Sequence, residues 1–419
     1  MIAGHLAATA GHGRRLATWL LRPYIDLGPF VMGPLYARGI EEYWRAFIDP
    51  QHPRFALQRT LPPAFRAQLI AESGRPEYLV SDPRELPEDL RTDRWSAVCY
   101  ALDHWHELPI ERKRALVLLL HSLCLYGPVL ELVPEFDVHA IRSDAADVEL
   151  SYWRASARYV LGVPSRIADY GAADMSAFEA IAVDAADAIP AAFNAAVKVF
   201  VHKAKTGAAP RNLAQWSARL ERALADAVSK LDQFNGELLT SRFYRAMGFL
   251  PQKHGDRAEV VRLMNLAERH ARKMKPATSA QQLLYLENLH PVLESRTKEA
   301  LWLGDRELAL KRALRVVKLD AYDSKTWVEL GEVRMARQEW ALAAEAYVCA
   351  ALLGPPASAI GRYMAGICFR KGGQDMLAAF FFKDALEVDP LGISPHNEIG
   401  KLPDAAVLKA LKEWSLRAF

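Results

Sequence analysis

Two short segments of this 419-residue sequence place carboxylates and histidines at a spacing that could bind a metal ion. Asp103 and His106 are three residues apart, and Glu287 and His290 repeat that spacing. Residues three apart share one face of an α-helix, and helical di-iron sites use a carboxylate and a histidine in this arrangement. Iron bound by Asp103, His106, Glu287 and His290 is therefore one interpretation of these segments.

We favour a simpler interpretation, in which neither segment binds a metal and the protein carries no cofactor. Residues 103–107 directly precede Leu108-Pro109, so their histidines are expected to be solvated or hydrogen-bonded at a helix end. A di-iron site also requires two further carboxylates from other helices. The sequence lacks a P-loop and the patterns G-x-G-x-x-G, H-E-x-x-H and G-x-S-x-G, so an enzymatic function is the less favoured prediction.

The composition is that of an ordinary globular protein, with 51% apolar and 25% charged residues. A net charge of +3 predicts no nucleic-acid partner. The four cysteines form no C-x-x-C pair, which favours reduced thiols in the cytoplasm and argues against a structural zinc site. The most apolar run, 115–133, contains His121 and Glu131, so we expect no integral membrane segment. The arginine-flanked stretch 14–22 could touch a membrane surface.

Apolar residues recur three and four positions apart along almost the whole chain, which predicts an all-α protein. No segment shows the alternation that is typical of a half-buried strand. Proline and glycine clusters separate the helical segments, and residues 206–210 are the best candidate for a linker in the middle of the chain. In the N-terminal half, the predicted helical segments are 36–48, 94–107, 111–125, 143–161, 174–204 and 212–239.

The strongest pattern in the chain is a tandem repeat between residues 324–357 and residues 359–392. At an offset of 35 residues, small, aromatic and proline positions of the two blocks coincide. Small residues at two positions let a pair of antiparallel helices approach closely, and proline stops the second helix. The coinciding pairs are Gly331 and Gly366, Ala343 and Ala378, Tyr347 and Phe382, Ala350 and Ala385, and Pro355 and Pro390.

This pattern resembles the tetratricopeptide repeat (TPR), a helix–turn–helix unit that stacks into an α-solenoid. A degenerate unit beginning at His290 keeps Ala309 and the turn Gly304-Asp305, and the tail after Pro390 has the apolar spacing of a capping helix. We therefore predict three regions. These are an N-terminal helical domain (1–205), a connecting helical region that could hold a further degenerate repeat (206–289), and TPR repeats with a capping helix (290–419).

The TPR resemblance implies that the first helix of each unit lines a concave groove that binds a protein or peptide. The lysine and asparagine set that holds a C-terminal carboxylate in chaperone-binding members of the family is missing, which predicts a different ligand. In the last unit, Ile360, Tyr363, Met364 and Ile367 form an apolar strip that either the C-terminal helix or a partner helix would cover. The implied partner-binding residues are Lys298, Trp302, Glu329, Glu332, Tyr363, Met364 and Arg370.

A second resemblance runs through residues 133–250. The segments LGVPSRIADY (161–170), DAIPAAFNAAV (187–197) and LDQFNGELLTSRFYRAMGFLP (231–251) are similar to stretches that occur in the same order in indoleamine dioxygenase-like haem proteins. This resemblance implies a haem-ligating histidine further along the chain, where His270 and His290 are the candidates. The chain departs from that family because repeat-like sequence begins before a glycine-rich segment and its ligand appear.

The sequence thus predicts a scaffold that binds a protein or peptide through a C-terminal TPR groove. Its alanine- and arginine-rich composition favours the cytoplasm of a bacterium. The alternative is a helical oxygenase-like enzyme or enzyme subunit that uses iron or haem and whose repeats recruit a carrier or a peptide substrate. The sequence carries no prediction of the oligomeric state.

Overall fold

The computed structural model of this chain describes residues 31–56, 61–62, 65, 82–135, 147–162, 175–185, 188–354 and 356–415. Over these ranges the chain forms α-helices and short 3₁₀ helices, and no strand occurs, which confirms the prediction of an all-α protein. The described chain divides into two compact units. Among the described residues, the N-terminal unit comprises 34–61 and 82–295, and the C-terminal unit comprises 296–415 together with 31–33, 62 and 65. The boundaries predicted from the sequence lie at 205/206 and 289/290. No helix in the described ranges is long and apolar enough to cross a membrane.

The N-terminal unit consists of α-helices, with 3₁₀ helices at Pro83–Glu85, Glu88–Leu90 and Trp105–Glu107. From Ile110 to Lys273 consecutive helices pack on each other, and the helix Gln233–Met247 also packs on the helices Ile189–Thr206 and Arg257–Lys273. The helices are α1 (Met32–Ile48), α2 (Asp93–Asp103), α3 (Ile110–Ser122), α4 (Tyr126–Leu132), α5 (Val148–Gly162), α6 (Ser176–Asp184), α7 (Ile189–Thr206), α8 (Pro210–Lys230), α9 (Gln233–Met247), α10 (Phe249–His254) and α11 (Arg257–Lys273).

Two long helices predicted for this unit are each divided. The predicted helix 174–204 is interrupted between α6 and α7, where Pro190 lies in the first turn of α7. The predicted helix 212–239 is interrupted at Leu231 and Asp232, and the Asp232 side chain accepts a hydrogen bond from the backbone N–H of Asn235 to cap α9. The segment after Thr206, predicted as a linker, is a turn with Gly207 at a φ of 78°, and it joins helices α7 and α8, which pack together.

The boundary between the units falls inside α12 (Ser279–Leu303), a helix that continues through Pro291. In the C-terminal unit the later helices pack in chain order, each on the next, as a stack of helical repeats requires. The last two helices pack on the helix Asp375–Val388, which confirms the predicted capping element. The helices that follow α12 are α13 (Arg306–Leu319), α14 (Ser324–Ala336), α15 (Trp340–Leu352), α16 (Ser358–Lys371), α17 (Asp375–Val388), α18 (Ile393–Ile399) and α19 (Asp404–Ser415).

Within each repeat unit, a contact between a glycine and an aromatic ring holds the two helices together. A Cβ atom at Gly331 of α14 would lie 2.8 Å from Cζ of Tyr347 in α15, so only glycine lets the helix backbone rest on this ring. Gly366 and Phe382 repeat the contact between α16 and α17, where a Cβ atom at Gly366 would lie 2.5 Å from Cε1 of Phe382. Both aromatic rings are fully buried, so neighbouring side chains leave them little room to move. Each contact therefore fixes the distance between the two helices of its pair.

Turn residues in the C-terminal unit also follow the sequence prediction. Gly304 adopts a φ of 89°, a left-handed conformation that glycine adopts without a steric penalty. The next residue, Asp305, accepts a hydrogen bond from the backbone N–H of Leu308 and caps α13. The predicted turn of the degenerate unit is therefore present between α12 and α13.

Candidate functional site

The residues predicted to line the groove lie on α12, α14 and α16, the first helices of successive pairs. Lys298 of α12 forms an ion pair with Glu329 of α14, with 2.6 Å between Nζ and Oε1. The Lys298 side chain is exposed, whereas Glu329 is buried at 6% relative exposure. This contact brings one predicted residue of α12 within ion-pair distance of a buried predicted residue of α14.

Glu332, one turn after Glu329 on α14, adds a second carboxylate to this surface. Its side chain is open to water, yet the pKa of its carboxyl is raised because surrounding protein desolvates it, an effect that Lys298 partly offsets. Glu332 therefore offers an accessible carboxylate in a partly desolvated setting.

The predicted apolar strip lies further along the stack, on α16. Ile360, Tyr363, Met364 and Ile367 are all half-buried. The Tyr363 ring lies 5.9 Å from the ring of Phe382, and Met364 packs against the same buried cluster. These side chains are thus anchored on the core on one side and accessible on the other.

The end of α16 is bordered by the C-terminal helices. Arg370 forms an ion pair with Glu398 of α18, a residue with 8% relative exposure. Arg370 is therefore engaged within the chain, in contrast to the open carboxylate of Glu332. Trp302, near the end of α12, is half-buried.

The histidine-rich segment 103–107 differs from the prediction. Helix α2 ends at Asp103, and residues 105–107 form a separate 3₁₀ helix, so Asp103 and His106 do not share the face of one helix. Both side chains are exposed. The ring of His104 stacks on Tyr100 with 4.0 Å between centroids, and its Nδ1 lies 2.9 Å from the Tyr100 carbonyl oxygen. The predicted shared helix face is wrong because the helix ends one turn too early.

The second pair of alternative metal ligands lies in the buried part of α12. Glu287 accepts a hydrogen bond of 2.9 Å from Nη2 of Arg242, and His290 is fully buried. Within the described part of the chain, Asp103, His106, Glu287 and His290 do not come within metal-binding distance of one another as a group. A carboxylate already paired with an arginine is also a poor metal ligand, so the four residues do not fit an iron site.

In the described structure, the residues that carry the haem resemblance lie mostly in helices, and His270 lies in α11. Nδ1 of His270 lies 2.5 Å from Oε2 of Glu237, and its ring stacks on Tyr244 at 5.5 Å. Residues 163–170 of the first similar segment lie outside the described residues, as does the stretch 14–22 with its predicted membrane contact. The described contacts of His270 are those of a histidine that ties α9 to α11.

A large cavity in the N-terminal unit was not predicted from the sequence. Its volume is about 750 Å³, within the range of small-molecule sites. The wall combines the loop 52–56, α5, the first turns of α7 and α12, and one face of α9. Apolar and aromatic side chains dominate, with Arg242 and Asn194 as buried polar groups. No local motif signals this cavity, because its residues are distributed over more than 200 positions of the chain.

No protein-family model matches the chain, and no curated protein matches it. Among solved structures, it is similar to YrrB, described as a TPR protein with an unusual peptide-binding site, with 18% identity over 54% of this chain and 98% of that one and a TM-score of 0.32. It is also similar to the APC/C hetero-tetramer Cut9–Hcn1, with 14% identity over 87% of this chain and 72% of that one and a TM-score of 0.27.

Proposed function

We propose that the C-terminal unit is a protein- or peptide-binding module and that the partner lies along the exposed faces of α12, α14 and α16. The Lys298–Glu329 ion pair carries this proposal, because it aligns successive first helices side by side. Stacked first helices form the extended concave surface that solenoid proteins use for binding.

The chemistry of this surface indicates what the partner presents. Lys298 is paired with a buried carboxylate, and Arg370 is paired with Glu398, so both cations are largely neutralised. The Glu332 side chain is exposed, although nearby protein partly desolvates its carboxylate. It forms no ion pair within the described residues. A lysine or arginine of the partner would supply the missing counter-charge and form a charge-assisted hydrogen bond.

The apolar strip on α16 supplies the second part of the surface. Tyr363 and Met364 are fixed against the core on one side, so a partner side chain packing on their open side costs little conformational entropy. Aromatic side chains of this kind often dominate the binding energy of an interface. The expected partner is a peptide segment that combines a basic residue with apolar residues.

Selection of peptides from a random library on the full-length protein would test this function without requiring the natural partner. Selected peptides should contain a basic residue among apolar ones, and Glu332→Lys should weaken their binding at least tenfold. Glu387→Lys is the matched control, because Glu387 is exposed on α17, the second helix of the last pair. Peptides whose affinity falls equally in both variants, or in neither, would contradict the proposed surface.

A further inference from the structure

We propose that the cavity of the N-terminal unit binds a small apolar monocarboxylate whose carboxylate lies beside Asn194 and Arg242. This site is distinct from the proposed partner-binding surface and uses residues of the N-terminal unit only. A volume of about 750 Å³ accommodates a medium-chain fatty acid or a fused-ring aromatic acid.

The buried polar groups at the cavity are arranged as hydrogen-bond donors. Arg242 has 7% relative exposure, and two of its five N–H groups bind Oδ1 of Asn194 at 3.2 Å and Oε2 of Glu287 at 2.9 Å. Because a guanidinium can only donate, the Asn194 oxygen must face Arg242, which turns the Asn194 Nδ2 donor elsewhere. In the described structure that amide nitrogen makes no hydrogen bond.

The start of α7 adds a further donor group beside Asn194. Ala188 occupies the N-cap position of α7, and no side chain caps this helix end. Its first turn, including Ala191, lines the cavity one turn before Asn194. The uncapped N–H groups and the helix dipole favour a negative group at this point.

Elsewhere the cavity is lined by carboxylates that would repel an anionic ligand. Glu42 lies 2.6 Å from Nε2 of His52, and Oε2 of Glu149 lies 3.3 Å from Nη2 of Arg54. Arg54 is also bound by Glu111, so two carboxylates share this one guanidinium. The N–H donors of Asn194, Arg242 and the start of α7 are therefore the groups with which a carboxylate would form its most favourable hydrogen bonds.

The rest of the cavity wall is suited to an apolar body. Tyr152 and Trp153 of α5 face the space together with Phe234 and Leu238 of α9. Except for their polar tips, these side chains can bind a ligand only through apolar and aromatic contacts. A carboxylate at one end of the cavity and a hydrocarbon along this wall would satisfy both parts of the site.

Calorimetric titration of the full-length protein tests the proposal with decanoate as the aliphatic acid, 2-naphthoate as the aromatic acid and 1-decanol as the uncharged analogue. We expect one molecule of at least one acid per chain, with decanol at least tenfold weaker than decanoate if the aliphatic acid binds. The preference between the two acids identifies the apolar body. Failure of both acids to bind saturably at millimolar concentration, or equal affinity for decanoate and decanol, would overturn the proposal.

Three variants locate the binding. Ala191→Phe should abolish acid binding by filling the cavity, and Asn194→Leu should weaken it at least tenfold. Ala225→Phe, an exposed position of α8 outside the cavity, should leave binding unchanged. Acid binding that survives Ala191→Phe would place the ligand elsewhere and refute the site. If Asn194→Leu fails to fold, the Ala191→Phe comparison and the decanol titration still decide the question.

Discussion

Gly331 lies directly on the aromatic ring of Tyr347, so closely that a Cβ atom at position 331 would come within 2.9 Å of three ring carbons. The Tyr347 ring is fully buried and its hydroxyl has no hydrogen-bond partner in the described structure. Burial therefore raises the pKa of this hydroxyl, and nearby Glu332 raises it further. The Tyr347 ring fills the space between α14 and α15.

This contact predicts that Gly331→Ala destabilises the protein by about 1–3 kcal/mol, because the ring cannot move away from the added methyl group without disturbing the core. Chemical denaturation followed by circular dichroism measures the effect. Gly236→Ala is the control, since a Cβ there meets nothing within 4 Å. That change should be neutral or stabilising by up to about 1 kcal/mol, because alanine favours the helix. Equal effects at both positions would mean that the helix contact is not tight.

The Lys298–Glu329 pair predicts a measurable coupling between α12 and α14. In a double-mutant cycle with Lys298→Met and Glu329→Gln, we expect a coupling free energy of about 0.5–1 kcal/mol, since the lysine remains exposed. The coupling should fall when the salt concentration is raised from about 0.1 M to about 1 M, where the Debye length shortens to about 3 Å. A coupling of zero at low salt would show that the two helices are not aligned through this pair.

The repeat region could be predicted from sequence because its helix contacts are local and periodic. Gly331 and Tyr347 are sixteen residues apart, and Gly366 and Phe382 repeat both the spacing and the contact. The interruptions at Leu231 and Asp232 were missed because apolar periodicity continues across them while the Asp232 cap begins a new helix.

The N-terminal cavity could not be predicted, since Asn194 and Arg242 meet only through the packing of α7 on α9. The same limit applies to the proposed metal ligands. Spacing alone placed Asp103 beside His106, whereas the true end of α2 separates them. Sequence patterns identify neighbours along one helix, but contacts between distant helices depend on the tertiary fold.

The buried Arg242–Glu287 pair predicts a large stability loss when only one partner is removed. Arg242→Met should destabilise the protein by about 3–5 kcal/mol, because Glu287 keeps only 2% relative exposure and loses its arginine. Adding Glu287→Leu to that variant should recover most of the loss, since neither charge of this pair then remains buried without the other. Thermal or urea unfolding of the two variants provides the comparison. A double variant as unstable as Arg242→Met would show that the pair is not the source of the effect.

His121 predicts a pH dependence of stability. Burial lowers the pKa of this histidine from 6.5 to about 3, so the unfolded chain binds a proton between these values and the folded chain does not. Stability is therefore complete above about pH 6.5 and falls as the pH decreases towards 3. Between pH 7 and pH 5 the free energy of unfolding should fall by about 2 kcal/mol because of this group. His121→Leu should lack that part of the slope, and an unchanged slope would assign the acid sensitivity to other groups.

The affinity of Tyr363→Ala for a peptide selected on the full-length protein tests the central claim most directly. Tyr363 lies on the open face of α16, whereas Lys383 belongs to α17, and neither makes the glycine–aromatic contacts that fix the helix pairs. Both variants should retain the helical circular dichroism spectrum of the wild type. Calorimetric titration should then show a loss of about 1–3 kcal/mol for Tyr363→Ala and little change for Lys383→Ala. Equal affinities for the wild type and Tyr363→Ala would contradict the account, because recognition would then lie away from the first helices of the repeats.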